Sequence, residues 1–269
     1  MRIFNKDLLN GRVALVTGGG SGLGFAIARE FAVLGAACIL VGRNGEKLES
    51  AAAEIRALGG QAQPQVGDVR DYAQMESAVQ AAVGKYGSLD ILVNSAAGNF
   101  HCPTKDLTPN GWRTVIDIDL NGTFLCCKAA FEALRASKFE GRVISIVTTL
   151  GLTGWPGQAH AGAAKAGIVS LSRALAVEWA EYGIHVNTVS PGPIAETEGT
   201  RKLYEQRGLA ELQARRVALG RFGKTIDVAN AAVFLASPGG DFITGADLVV
   251  DGGRWLNYVC TEPAATLQP

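Results

Sequence analysis

A chain of 269 residues with 25 basic and 25 acidic side chains carries no net charge at pH 7, so no broad field draws it to nucleic acid or to an anionic bilayer. The composition is that of an ordinary globular protein with glycine and alanine raised, and the length suits one large α/β domain. No apolar run approaches the roughly 18 residues of a membrane span, and Met1–Arg12 lacks the apolar core of a secretory signal.

Strand and helix patterns alternate along the chain. Val13–Thr17 is a valine-rich apolar run followed by glycines, which predicts a buried strand, a glycine turn and a helix from about Phe25 to Leu34. Further strands are expected at Ala37–Gly42, Gln63–Asp68, Leu89–Ala96, Arg142–Val147, Ile184–Ser190 and Asp247–Val250. Helices are expected at Gly45–Leu58, Tyr72–Tyr86, Leu107–Ser137 (one bent or two), Ala159–Glu181, Ala195–Val217 and Ile226–Ala236. This succession predicts one doubly wound, Rossmann-type domain, a parallel sheet with helices on both faces. Cys38, Cys102, Cys126, Cys127 and Cys260 are odd in number and form no C-x-x-C pair. That argues against a metal site or a disulfide frame and for a reducing, cytoplasmic compartment. The ending Leu267-Gln268-Pro269 is not a peroxisomal S-K-L-type address.

Ligands of such sheets bind beyond the carboxyl ends of the strands. The first of these ends, Gly18, Gly20, Ser21, Gly22, Leu23 and Gly24, has the mechanics of a diphosphate cradle: close backbone approach and a helix N-terminus aimed at the anion. About twenty residues on, the usual ribose-binding acid is missing and Arg43 stands in its place. A guanidinium pairs with a 2′-phosphate that a carboxylate would repel, which points to NADP(H); otherwise Arg43 is a solvated loop residue. Asp68, followed by Val69, either accepts from the adenine or caps the next helix. Asn94 and Ala96 end the fourth strand with small residues, so that a cofactor can lie against the backbone.

Thr17-Gly-x-x-x-Gly-x-Gly24, Asn94-Ser-Ala-Ala-Gly98, Lys165 and Ser190-Pro-Gly-Pro-Ile194 together resemble a short-chain dehydrogenase/reductase over nearly the whole chain. The resemblance implies nicotinamide contacts from Pro191, Gly192, Ile194 and Thr197, and a lysine, Lys165, that holds the ribose. It also implies a tyrosine four residues before that lysine, but Ala161 is there. Thr148 stands for the family's serine, and Asp119 for its asparagine in Asp119-Leu-Asn-Gly122. Alanine cannot exchange a proton, and general acid–base catalysis is worth two to four powers of ten. Either the chain is no catalyst, or another group handles the proton.

Ala96-Ala-Gly-Asn-Phe100, Asp117–Phe124, His160–Lys165 and Pro191–Gly199 resemble the 2,4-dienoyl-CoA reductases, in particular the peroxisomal type, which also lacks the tyrosine–serine pair. The resemblance implies reduction of a C=C in an acyl-CoA with NADPH. Asp119, or a water it holds, would protonate the α-carbon, with Lys165 on the nicotinamide ribose, while Thr148 either orients the substrate or caps the strand end. Phe100 and His101 line an acyl channel or merely pack their loop. Asn121 faces the region of Asp119, although one helical turn cannot aim Asp119, Asn121 and Thr123 all inward. His160 is either catalytic or packed. The segment 195–220 would be a lid, in which Arg201, Lys202, Arg207, Arg215 and Arg216 either hold a CoA phosphate or are solvated. A homotetramer or homodimer is implied, in which the small residues Ala161, Gly162, Ala166 and Gly167 either allow close helix approach or serve cofactor contact. A carbonyl reductase with a relocated acid such as His160, and a non-catalytic NADP-binding protein, are the alternatives.

Overall fold

The computed structural model describes residues 3–201, 204, 206 and 208–256. Lys202, Arg207, Cys260 and the terminal Leu267-Gln268-Pro269 lie outside them. The chain runs β1 (Val13–Thr17), α1 (Gly22–Val33), β2 (Ala37–Gly42), α2 (Gly45–Ala57), β3 (Gln61–Val66), α3 (Tyr72–Tyr86), β4 (Ile91–Asn94), α4 (Pro109–Ile116), α5 (Gly122–Arg135) and β5 (Gly141–Ile146). It continues through α6 (Leu150–Thr153), α7 (Ala159–Glu178), β6 (Ile184–Pro191), α8 (Glu198–Thr200), α9 (Ala210–Arg215), α10 (Thr225–Ala236) and β7 (Asp247–Val250). The strands form one parallel sheet in the order β3-β2-β1-β4-β5-β6-β7, the doubly wound architecture that the sequence predicts.

Strand alternation splits the core in two. Ala14 and Val16 of β1 pack with Ile27, Phe31 and Val233 of α1 and α10. Val13 and Leu15 pack with Ala78, Ala130, Leu134 and Leu175 of α3, α5 and α7. With both faces covered, the order reverses between β1 and β4, which opens a crevice at their carboxyl ends.

Several element boundaries differ from expectation. Helix α1 starts at Gly22, because Gly22 and Gly24 enter the helix instead of extending the turn. The edge strand β3 starts and ends two residues early and is largely solvent-facing, so no buried apolar run marks it. The Leu107–Ser137 region is a helical rod whose α4 and α5 are joined by a π-turn, Asp117–Asn121. The segment Ala195–Val217, expected as one helix, includes α8 and α9 among its described residues. No helix among the described residues is long and apolar enough to cross a membrane. Cys38, Cys102, Cys126 and Cys127 are free thiols, and burial pushes those of Cys38 and Cys127 up to about 12.

Candidate active site

A cleft of about 470 Å³ lies along the carboxyl ends of the strands. It gathers Gly18, Ser21, Gly22, Leu23 and Gly24 from the first turn, then Arg43, Asp68, Val69, Ala96, Asp119, Thr148, Lys165, Pro191, Gly192, Ile194 and Thr197. The turn is built for close approach. A Cβ on Gly24 would stand 2.5 Å from the Gly18 carbonyl oxygen, so no other residue fits. Ser21 is the N-cap of α1, yet its side chain caps nothing and no acid occupies the first turn. The helix therefore presents bare N–H groups and its positive end to the cleft, which fits a diphosphate. Thr17, at the end of β1, reaches across the switch point: its hydroxyl accepts from Ser95 N–H and Ala96 N–H, both at 3.1 Å.

Arg43 is exposed at the cleft wall. Asp68 is hydrogen-bonded by the Arg70 side chain at 2.5 and 3.0 Å, and this bond, with the nearby charge of Arg43, holds its carboxyl at about 2. It is not the cap of α3; Asp71 is, accepting from Gln74 N–H at 3.2 Å. Gly20 and Asn94 do not line the cleft. Gly20 faces Leu48 of α2, and the Asn94 side chain is buried against Ser145 and Cys127, donating to them at 3.2 and 3.4 Å.

At the centre of the cleft two buried charges meet. The π-turn rotates Asp119 inward, where it is 1% exposed. One carboxylate oxygen accepts from Gly98 N–H at 2.7 Å, and the other lies 3.2 Å from Lys165 Nζ. Lys165 Nζ also donates to the Ile146 carbonyl at 3.0 Å. Thr123, one turn on, points inward and donates to the Asp119 carbonyl at 2.6 Å. Asn121 points outward and donates to Asp117 at 2.8 Å on the exposed side, so it is not a cleft residue. Ala161 sits one turn before Lys165 on the same face of α7 and lines the cleft with its methyl group.

His160 is fully buried and lies outside the cleft lining. Its Nδ1 accepts from Ala161 N–H at 2.8 Å, its ring meets Phe100 edge-on at 4.5 Å, and burial lowers its pKa. The ring is therefore a neutral packing element at pH 7. Phe100 and His101 also lie outside the main cleft; His101 faces a second cavity. In the 195–220 segment, Arg215 pairs with Glu211 one turn away on an exposed face, Arg201 is exposed, and Arg216 faces the second cavity.

Trp155, Tyr204 and Arg254 line the cleft although nothing in their sequence neighbourhoods marks them. Trp155 flanks the cleft from the loop before α7, Tyr204 from between α8 and α9, and Arg254 lies over the Trp155 ring at 5.3 Å. Tyr204 is the tyrosine among the cleft-lining described residues; burial raises its phenol.

The family model described as enoyl-(acyl carrier protein) reductase matches residues 18–254. The chain belongs to the short-chain dehydrogenase/reductase family. It is 42% identical to a probable 2,4-dienoyl-CoA reductase, (2E)-enoyl-CoA-producing, of Bacillus subtilis, over 91% of this chain and 97% of that protein. It is 42% identical to a peroxisomal 2,4-dienoyl-CoA reductase, (3E)-enoyl-CoA-producing, of Arabidopsis thaliana, over 94% and 88%. Among solved structures, a short-chain dehydrogenase from Bacillus anthracis is 38% identical, with a TM-score of 0.86 over 95% of this chain and all of that one. In this family member the methyl group of Ala161 lines the cleft one turn before Lys165, and the buried Asp119–Lys165 pair lies beside it.

Proposed function

We propose that the protein reduces a 2,4-dienoyl-CoA to a 3-enoyl-CoA with NADPH. The observation that carries this reading is Ala161 on the cleft wall, one turn from a buried Asp119–Lys165 pair. A ketone needs a proton on oxygen at the place where the methyl group is. A conjugated thioester needs one on carbon, deeper in the site. Relatives named as dienoyl-CoA reductases support the same reading.

Gly18–Gly24 and Arg43 would hold NADPH, which when bound would supply the hydride taken up at C5 of the dienoyl chain. Lys165 has three N–H donors, two of them committed to Asp119 and Ile146, which leaves one for a ribose hydroxyl. Thr148, in the cleft wall, orients the thioester. The dienolate that follows hydride addition is protonated at the α-carbon by a water held on Asp119, or by Asp119 itself. Protonation at the γ-carbon would give the 2-enoyl product instead.

The direct test is NADPH oxidation with 2,4-hexadienoyl-CoA against a β-keto thioester. Turnover of the first and not the second is expected. The reverse result would favour carbonyl reduction, for which Tyr204 is the acid the cleft offers; His160, off the cleft, is not. Dinucleotide binding without turnover on any thioester would make the protein a non-catalytic binder.

NADPH over NADH is part of the proposal, and Arg43 supports it. Arg43→Ala is expected to raise KM for NADPH about 10- to 100-fold, the worth of charge-assisted hydrogen bonds, while KM for NADH changes little. Steady-state kinetics with both cofactors checks this. We place the protein in the cytoplasm as a homodimer or homotetramer, with 195–220 as a substrate lid. The buried free thiols support the compartment. The exposed apolar residues Trp112, Phe124 and Val177 on α4, α5 and α7 support the assembly.

A further inference from the structure

Beyond the main cleft lies a second cavity of about 330 Å³. Trp155 and Tyr204 line both. Their rings meet at 6.4 Å with an interplanar angle of 67°, so the pair stands as a partition with one cavity on each side. Trp155 follows β5 and Tyr204 follows β6, which lie across the sheet from β2, so the pair stands towards the end of the cleft away from Arg43.

The partition is braced from three parts of the chain. Arg254 lies over Trp155, and Phe222 packs against Tyr204 at 5.9 Å. Trp155 and Pro156 are flanked by Gly154 and Gly157, both with positive φ. A Cβ on Gly157 would collide with the His101 ring, so the turn that presents Trp155 is tied to the loop after β4. Cys102 N–H donates to the Gly157 carbonyl at 2.9 Å, and Asn99 donates to Gln158 at 2.8 Å. On the far side, Pro156 and Leu209 add apolar surface, and His101 and Arg216 also line the cavity. The amide oxygens of Gln158 and Gln213 there already accept from Asn99 and Arg254.

We propose that the Trp155–Tyr204 pair is the end wall that sets acyl-chain length, and that the cavity behind it is space a longer chain enters once the wall is removed. This rests on the acyl-CoA reading above. In a 2,4-dienoyl chain the carbons beyond C5 run on past the reacting centre. With Asp119 and Lys165 marking that centre, the part of the cleft left for them ends at these two rings.

The test is the ratio of kcat/KM for 2,4-dodecadienoyl-CoA to that for 2,4-hexadienoyl-CoA, in wild type and in Trp155→Ala. Each methylene newly buried is worth about fourfold, so Trp155→Ala is expected to raise the ratio at least about tenfold. Tyr204→Ala, which opens the wall from the other side, is expected to move it the same way. Adding Leu209→Trp to Trp155→Ala refills the cavity and is expected to return the ratio towards wild type. Calorimetry with saturated hexanoyl- and dodecanoyl-CoA reads the same preference without turnover. A ratio unmoved by both wall variants in an enzyme that reduces hexadienoyl-CoA overturns the wall alone. A uniform rise in KM at all chain lengths also overturns it, because the second cavity would then serve the CoA end. A wild type that neither reduces dienoyl-CoA nor binds acyl-CoA overturns the functional reading, and the wall with it.

Discussion

Replacing Asp119 by asparagine is expected to lower kcat on 2,4-hexadienoyl-CoA by about 10²- to 10³-fold, the scale of a lost general acid–base group. The substitution is nearly isosteric. The amide oxygen can still accept from Gly98 N–H, now at 2.7 Å from the carboxylate, so the π-turn keeps its anchor. What goes is the charge facing Lys165 and the ability to polarise or protonate through a bound water. NADPH binding, followed by fluorescence titration, is expected to persist, since the glycine turn and Arg43 are untouched. Tyr204→Phe separates the two proton sources: it is expected to cost less than about fivefold, the worth of one ordinary hydrogen bond. Undiminished turnover in Asp119→Asn, with a collapse in Tyr204→Phe, would transfer the proton step to the phenol.

The second large effect is on stability. Lys165→Met removes the cation from a carboxylate that is 1% exposed, leaving it with the single donor Gly98 N–H. Breaking a buried pair from one side costs about 3–5 kcal/mol, because the remaining charge is stranded. For a domain of this size that is a fall in Tm on the order of 10 °C. Adding Asp119→Asn to Lys165→Met removes the stranded charge as well and is expected to recover part of the loss, so the two changes are non-additive. Thermal unfolding of the two single variants and the double variant measures that coupling. Additive losses would mean that Asp119 and Lys165 do not act as one unit.

Most of the fold is written in local patterns. The valine-rich run at Val13–Thr17 and the apolar strand ending at Asn94 announce a buried parallel sheet, and Tyr72–Tyr86 matches α3 residue for residue. Edge strand β3 is poorly legible because it buries no continuous apolar face, so periodicity has nothing to report. Within the site, the cofactor turn and Lys165 are legible because glycine spacing and helix register are local. The direction of Asp119 against Asn121 is not, because it depends on a π-turn that shifts the helical phase. Trp155, Tyr204 and Arg254 come together from three distant segments, and only tertiary packing puts them in one wall. Asp68 shows the remaining ambiguity: adenine acceptor and helix cap suit the same residue type, while the structure gives the cap to Asp71 and pairs Asp68 with Arg70.

The relatives' names divide over the product, one forming a (2E)-enoyl-CoA and the other a (3E)-enoyl-CoA, and that division is where the proton goes. The measurement that bears most directly on Asp119 is therefore the position of solvent deuterium in the product of 2,4-hexadienoyl-CoA reduction run in D2O. Proton delivery at the α-carbon places one deuterium at C2 of a 3-enoyl-CoA, with C5 carrying hydride from NADPH. Deuterium at C4 of a 2-enoyl-CoA would contradict it.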